Sequence, residues 1–195
     1  MVIRHARFVL LLILSWIYIF IAAGCQSATI EVGRDMSVDL DAIKRVAIIP
    51  FENHSRDRLA GEKVTAIFIS AMVRITSVDV VDPGETLDAL VAQGAETKKL
   101  SPLLIKKIGA KIGAEAMIFG SVEEYAMEKF HNDVLPVVSI SARMVDVNTG
   151  KILWVATASD SGLSRVPIIN VGENRTRTAL AAKIVRKLIT KVYSQ

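Results

Sequence analysis

The chain has 195 residues, 51% of them hydrophobic and 23% charged, with a formal net charge of +4 and one cysteine. That balance excludes a disordered chain, a membrane protein with many spans and a disulfide scaffold. Lys and Arg are interleaved with Asp and Glu rather than gathered in a stripe, so the composition does not point to a nucleic-acid partner.

The apolar excess lies at the start. Residues 1–24 contain 19 apolar residues and no acid. Met1 to Arg7 is a short basic region, and Phe8 to Ala23 is an apolar run broken only by Ser15. A helix needs roughly 20 apolar residues to span a bilayer, so this run is short for an anchor and suits the core of a signal peptide. Without residues 1–24 the net charge falls to +2, because the leader holds Arg4 and Arg7. The leader ends in Ala22-Ala23-Gly24, followed by Cys25, the only cysteine, which therefore has no internal disulfide partner. One reading is a chance cysteine after an ordinary cleavage site. The other is lipidation. The stretch Ile21-Ala22-Ala23-Gly24-Cys25 resembles a bacterial lipobox, with Ala22 where leucine is more usual. That resemblance implies an acylated Cys25 held in membrane lipid, and Gln26 after it implies sorting to the outer membrane.

Residues 26–42 are polar with scattered Val and Ile and no sustained period, and are expected to form a tether, so that 25–43 is anchor plus tether and 44–195 the folded domain. Lys44 to Phe51 reads as a buried strand stopped by Pro50. Leu59, Val64, Ile67, Phe68, Ala71, Met72 and Ile75 form one helical stripe over 58–75. Val78 to Val81 reads as a short strand closed by Asp82-Pro83-Gly84, and Thr86 to Gln93 as a short helix. Ser101-Pro102 has the cap and first-turn chemistry of a helix start, and that helix runs to Ile112 before Gly113. The period then changes. Ala116 to Tyr125 reads as a strand entering a hairpin turned at His131-Asn132-Asp133. In 134–147, Val138, Ile140, Ala142 and Met144 alternate with Ser139, Ser141 and Arg143. Asn148-Thr149-Gly150 is a tight turn into a return strand over 151–159. Residues 161–172 read as a loop, and 173–193 as a long amphipathic helix. This order implies a single α/β domain, a mixed β-sheet with packed helices.

Five stretches taken together carry a family resemblance: Val46-Ala47-Ile48-Ile49-Pro50-Phe51-Glu52-Asn53, Leu59-Ala60, Val80-Val81-Asp82, residues 112–122 (IGAEAMIFGSV) and residues 141–154 (SARMVDVNTGKILW). In this order, behind the lipobox, they resemble the CsgG family of curli production assembly/transport lipoproteins over about residues 44–192. The resemblance implies a CsgG-like periplasmic domain facing the periplasm. Each motif also has a structural reading. Pro50 would end a strand, Gly113 cap a helix, Gly120 let a helix approach the sheet, and Trp154 fill the gap between sheet and helix. The family's pore-forming members insert two long amphipathic hairpins, and a membrane strand needs ~9–11 alternating residues. Here Ala126 to Asp133 is too short and too charged, and Ser159 to Gly172 is too short and contains Pro167. Other relatives include a lipoprotein activator of a penicillin-binding protein, which reaches through the wall on a long tether, and the tether expected here is short.

No catalytic constellation is expected. With Cys25 acylated, His54 and His131 cannot make a His/Cys metal cluster. His54, Ser55 and Asp57 are adjacent in sequence, but adjacency is not a triad. Glu123 and Glu124 are neighbours on a strand and are expected on opposite faces. There is no GxGxxG or Walker A motif, and no cofactor is expected. The basic side of the last helix is expected to be a solvated face. The expected partner contacts are Glu52 and Asn53 in the first loop and Val166, Ile168 and Ile169 in the apolar patch. The expected function is a non-enzymatic outer-membrane lipoprotein, a subunit or accessory of a secretion or envelope-assembly complex. Its partners would be lipid through Cys25, further copies of itself and an envelope protein. A curli-type channel component and a regulator of a penicillin-binding protein are the rival readings.

Overall fold

Residues 45–48, 116–122 and 137–145 are rich in Val, Ile, Met and Ala, and they become the centre of the sheet. A computed structural model describes residues 28–96, 100–130, 133–163 and 174–194. Apart from Leu163, these belong to one compact unit, Ala28–Gly162 with Asn174–Gln195. The strands are β1 (Thr29–Arg34), β2 (Arg45–Ile48), β3 (Glu52–Asn53), β4 (Asp79–Val80), β5 (Ala116–Phe130), β6 (Asp133–Asp146) and β7 (Ile152–Ser161). The helices are α1 (Ala60–Ile75), α2 (Pro83–Ala92), α3 (Pro102–Ile112) and α4 (Arg177–Tyr193). The seven strands form one mixed sheet in the order β1-β7-β6-β5-β2-β4, with β3 also paired to β5. Pairing is antiparallel from β1 through β7 and β6 to β5, and parallel where β5 meets β2 and β3 and where β2 meets β4. The domain is a single α/β unit, as the sequence implied.

The strand periodicity sorts side chains to two faces. On β7, Trp154, Ala156 and Ala158 are buried and Val155, Thr157 and Ser159 are exposed. The buried set packs with Val138, Ile140, Ala142 and Met144 of β6 against α1 (Val64, Phe68, Met72) and α4 (Leu180, Ile184, Leu188). Trp154 lies in this layer, as expected of a ring filling the gap between sheet and helix. On the other face, α2 and α3 pack Ala89, Leu90, Ile105, Ile108 and Ile112 onto Met117, Phe119, Val145 and Val147. These two helices cover one end of that face only.

The helix starts follow local chemistry. Asp82 accepts the N–H groups of Gly84 (2.7 Å) and Glu85 (3.3 Å) with Pro83 in the first turn, so α2 begins three residues before the expected Thr86. The Ser101 cap forms as expected, its Oγ accepting from Leu104 N–H at 3.3 Å. Gly113 ends α3 at φ 66° and Gly150 turns the β6–β7 hairpin at φ 70°, both in the left-handed region that suits glycine.

Three expectations are corrected. The stretch expected as a tether is folded from Thr29: β1 pairs with β7 from Thr29↔Ser159 to Arg34↔Trp154, and Leu40 is buried in a single 3-10 turn, Leu40–Ala42. The alternation of Ile30 and Val32 with Glu31 and Gly33 is short, but it packs onto α4, where Lys191 Nζ donates to the Ile30 carbonyl at 2.6 Å. Gly120 does not admit a helix. A Cβ there would fall inside the Phe51 ring, whereas Gly109 of α3 is the glycine that lies against Val147. Finally, Glu123 and Glu124 do not point to opposite faces. Val122 pairs with Ile140 and Glu124 with Ser139, so Glu123 is the extra residue of a β-bulge. Val122 and Tyr125 are both buried, and the two glutamates share the other side.

Candidate functional site: the bare end of the sheet

Beyond the reach of α2 and α3, one face of the sheet carries short polar side chains. Cross-strand register places Glu31, Thr157, Ser141, Ser121 and Glu52 in a single row over β1, β7, β6, β5 and β3. A second row runs Thr29, Ser159, Ser139 and Glu124. Gly33, Val155, Arg143 and Phe119 make a third, next to the helices. Val155 is 47% exposed, and the Arg143 guanidinium lies over the Phe119 ring at 5.0 Å. The first row thus sets three hydroxyls between two carboxylates on an open face of the sheet.

At the β3 end this face becomes acidic and dips into a hollow of about 240 Å³ lined by Pro50, Glu52, His54, Phe119, Ser121 and Ser141 among others. His54 Nδ1 lies 3.1 Å from Glu123 Oε2, and its Nε2 lies 3.4 Å from Glu52 Oε2. Ser121 Oγ donates to Glu123 Oε1 at 2.6 Å and lies 2.7 Å from Ser141 Oγ. A hydroxyl has one proton, so Ser141 donates in that second bond. The Glu123 hydrogen bond, with Glu52 in support, holds the His54 pKa above its ordinary 6.5. The Ser121 hydroxyl, then His54, lowers that of Glu123. Glu124 moves the other way: partial burial and then the Glu128 carboxylate beside it raise its pKa. The cluster is an ion-pair knot tying β3 to β5. Both ring nitrogens of His54 already face a carboxylate.

Of the residues expected at partner contacts, Glu52 lies on this face. Asn53 turns away and builds its own loop: its Oδ1 accepts from Ser55 N–H (3.0 Å) and Ser55 Oγ (2.7 Å), and its Nδ2 donates to the carbonyls of Asp57 (2.7 Å) and Arg58 (3.2 Å). Asp57 accepts from Leu59 N–H at 3.0 Å, which with Lys63 and Arg177 lowers its pKa, and its 2.9 Å ion pair with Arg177 joins the loop to α4. The Ser55 hydroxyl thus bonds Asn53 Oδ1 and the Asp57 backbone carbonyl (3.4 Å), whereas the His54 ring and the Asp57 carboxylate take other partners. Cys25, Val166, Ile168 and Ile169 lie outside the described residues. Among the described residues no group of His, Cys, Asp and Glu is placed to hold a metal ion, and no helix is long and apolar enough to cross a membrane. The hydroxyl row was missed because its members come from five strands. The alternation of Ser139, Ser141 and Arg143 marked an outward face, but not which strands would flank it.

The chain shares this fold with solved structures. A PelC dodecamer from Paraburkholderia phytofirmans has 18% identity over 87% of this chain and 99% of its own, with a TM-score of 0.59. Lipoprotein GNA1162 from Neisseria meningitidis has 20% identity over 78% of this chain and 99% of its own, with a TM-score of 0.58. The LpoB C-terminal domain from Salmonella enterica is more distant, with 13% identity over 60% of this chain and 82% of its own and a TM-score of 0.48. No curated protein matches the chain. Residues 44–195 match the family described as "GNA1162-like: Putative lipoprotein GNA1162-like", and the chain belongs to that family.

Proposed function

We propose that the protein is an outer-membrane lipoprotein, anchored through acylated Cys25 and facing the periplasm, that works by protein–protein contact as a self-associating subunit or accessory of a secretion or envelope-assembly complex. The observation that carries this reading is the bare end of the sheet, where Thr157, Ser141 and Ser121 lie between Glu31 and Glu52 with no element of the domain's described residues packed on them. Membership of a lipoprotein family and the CsgG resemblance support the envelope setting. The related PelC structure is a dodecamer, and self-association is carried from it to this chain as part of the proposal. The reading assigns no catalytic role to the site, because His54 is committed to Glu123 and Glu52.

A curli-type channel component is the second reading, favoured by the CsgG resemblance. Against it, the part of the β5–β6 hairpin that projects past β7 pairs Met127–Phe130 with Asp133–Pro136. That is four residues per strand, where a membrane strand needs roughly 9–11.

The test is light scattering after size exclusion on the lipid-free chain over a range of concentrations, with Thr157→Arg beside the parent. A charge stranded in an interface costs about 2–5 kcal/mol, so Thr157→Arg should weaken assembly at least about tenfold while its thermal midpoint stays put. A parent that is monomeric at every concentration, and that cross-links to no envelope protein in cells, rejects the proposal.

A further inference from the structure

The point at which the chain enters the sheet fixes which end of the domain can reach the lipid. β1 begins at Thr29, four residues after Cys25. Four residues span at most about 14 Å fully extended. Thr29 pairs with Ser159 and Ser159 with Ser139, so the chain enters at the end of the sheet where β5 leads into β6. From the level of Ser139 the β5–β6 ribbon continues six residues further, to Asp133 paired with Phe130. At about 3.4 Å per residue that is roughly 20 Å, more than the linker can lift the domain. The opposite end of the sheet, at Asn148-Thr149, is roughly 30 Å away from Thr29, by the same rise per residue, and out of reach of the surface.

The ribbon's side chains are sorted by face. Met127 pairs with Pro136 and Lys129 with Val134, which puts Met127, Lys129, Val134 and the buried Pro136 on one face, and Glu124, Glu128, Phe130, Asp133 and the buried Leu135 on the other. Met127 is 42% and Val134 58% exposed. Lys129 beside them can extend its ammonium to lipid phosphate while its stem stays with the apolar pair.

We infer that this ribbon is a membrane-contact element. It meets the bilayer tip first, with Val134 among the headgroups, Met127 behind it at the membrane surface, Lys129 beside the lipid phosphates, and Glu128 and Asp133 on the ribbon's other face. The inference rests on the anchored reading of Cys25, and it adds an orientation: the Asn148-Thr149 turn points into the periplasm, and the bare sheet face stands across the membrane plane, open to a partner from the side.

The test uses the mature lipoprotein made with its own leader and reconstituted in phosphatidylethanolamine–phosphatidylglycerol vesicles. A polarity-sensitive fluorophore is placed at Val134→Cys or, as the control, at Asn148→Cys. The expected result is a blue shift and several-fold stronger quenching by lipid-borne quenchers at position 134 than at 148. Inserting about 12 Gly/Ser residues between Ser27 and Ala28, roughly 40 Å of extended chain, should abolish the shift at 134 while the protein still floats with the vesicles. Acyl mass on Cys25 with equal water exposure at 134 and 148 overturns the contact alone. A shift that survives the insertion overturns the short-linker argument. Absence of acyl mass on Cys25 overturns the anchored reading and the contact with it. Shielding of position 134 that persists in the lipid-free Cys25→Ser chain assigns the ribbon to a second copy and overturns the membrane contact.

Discussion

His54 shows how a few polar atoms set a pH range. Its pKa is raised, chiefly by the hydrogen bond to Glu123. A group with a raised folded pKa stabilises the fold fully below its ordinary value of 6.5 and loses that contribution as pH rises through the raised value. The tie between β3 and β5 is therefore complete in mildly acidic medium and loosens toward alkaline pH. The pair is exposed, so its contribution stays below about 1 kcal/mol. Glu123→Gln should bring the His54 pKa back toward 6.5, as read by NMR titration of the imidazole protons, with little change in melting temperature. A second residue-scale prediction concerns Gly120, whose missing Cβ leaves room for the Phe51 ring, itself tilted against Phe68 at a centroid distance of 5.2 Å. Gly120→Ala overpacks a core that cannot yield on the backbone side and should cost about 1–3 kcal/mol in urea unfolding. Adding Phe51→Leu should recover part of that loss relative to Phe51→Leu alone.

At the scale of elements, β1 is the strand with the weakest sequence signal, yet it closes one edge of the sheet. Ile30 and Val32 pack on the α4 layer, Leu40 is 2% exposed, and Arg34 donates to the carbonyls of Val192 (3.3 Å) and Val38 (3.2 Å). Burying a leucine stabilises by about 1.5–3 kcal/mol. A chain begun at Lys44, where the family match starts, should therefore unfold at a lower urea concentration, with a loss of more than about 2 kcal/mol, and expose β7 as a new edge prone to pairing. The bulge at Glu123 is the other element-scale device. Without it Tyr125 would face water. With it, the Tyr125 hydroxyl lies 3.1 Å from Thr178 Oγ1 and its ring lies under Arg177, 5.0 Å from the centroid.

For the whole molecule, the decisive feature is unequal cover. α1 and α4 blanket one face of the sheet, whereas α2 and α3 cover one end of the other. The bare end lies toward the chain's entry point, and by the proposed anchoring it is held near the membrane. Cys25→Ala should move the protein from the outer-membrane fraction to the soluble periplasmic fraction without changing its melting temperature. Retention in the membrane fraction would count against a lipid anchor and in favour of some other attachment.

The sequence by itself determined the order of the elements from β2 onward apart from β3, the Ser101-Pro102 helix start and the inward and outward faces of β6. These rest on local chemistry: a 3.6 or 2 residue period, a Ser-Pro start, a glycine at positive φ. It also marked Glu52 as a surface residue. Tertiary structure alone decided the rest. β1 is a strand because β7 offers it an edge and α4 a surface, not because six residues of weak alternation demand it. Asn53 was legible as polar, but its four hydrogen bonds within the loop depend on how residues 55–58 turn. Glu123 and Glu124 share a face because β6 forces an extra residue into β5, and a single strand's pattern carries no record of its neighbour's register. The hydroxyl row is the clearest case: Glu31, Ser121 and Thr157 are far apart in the chain and become adjacent only through strand order, which is set by long-range packing rather than by any local signal.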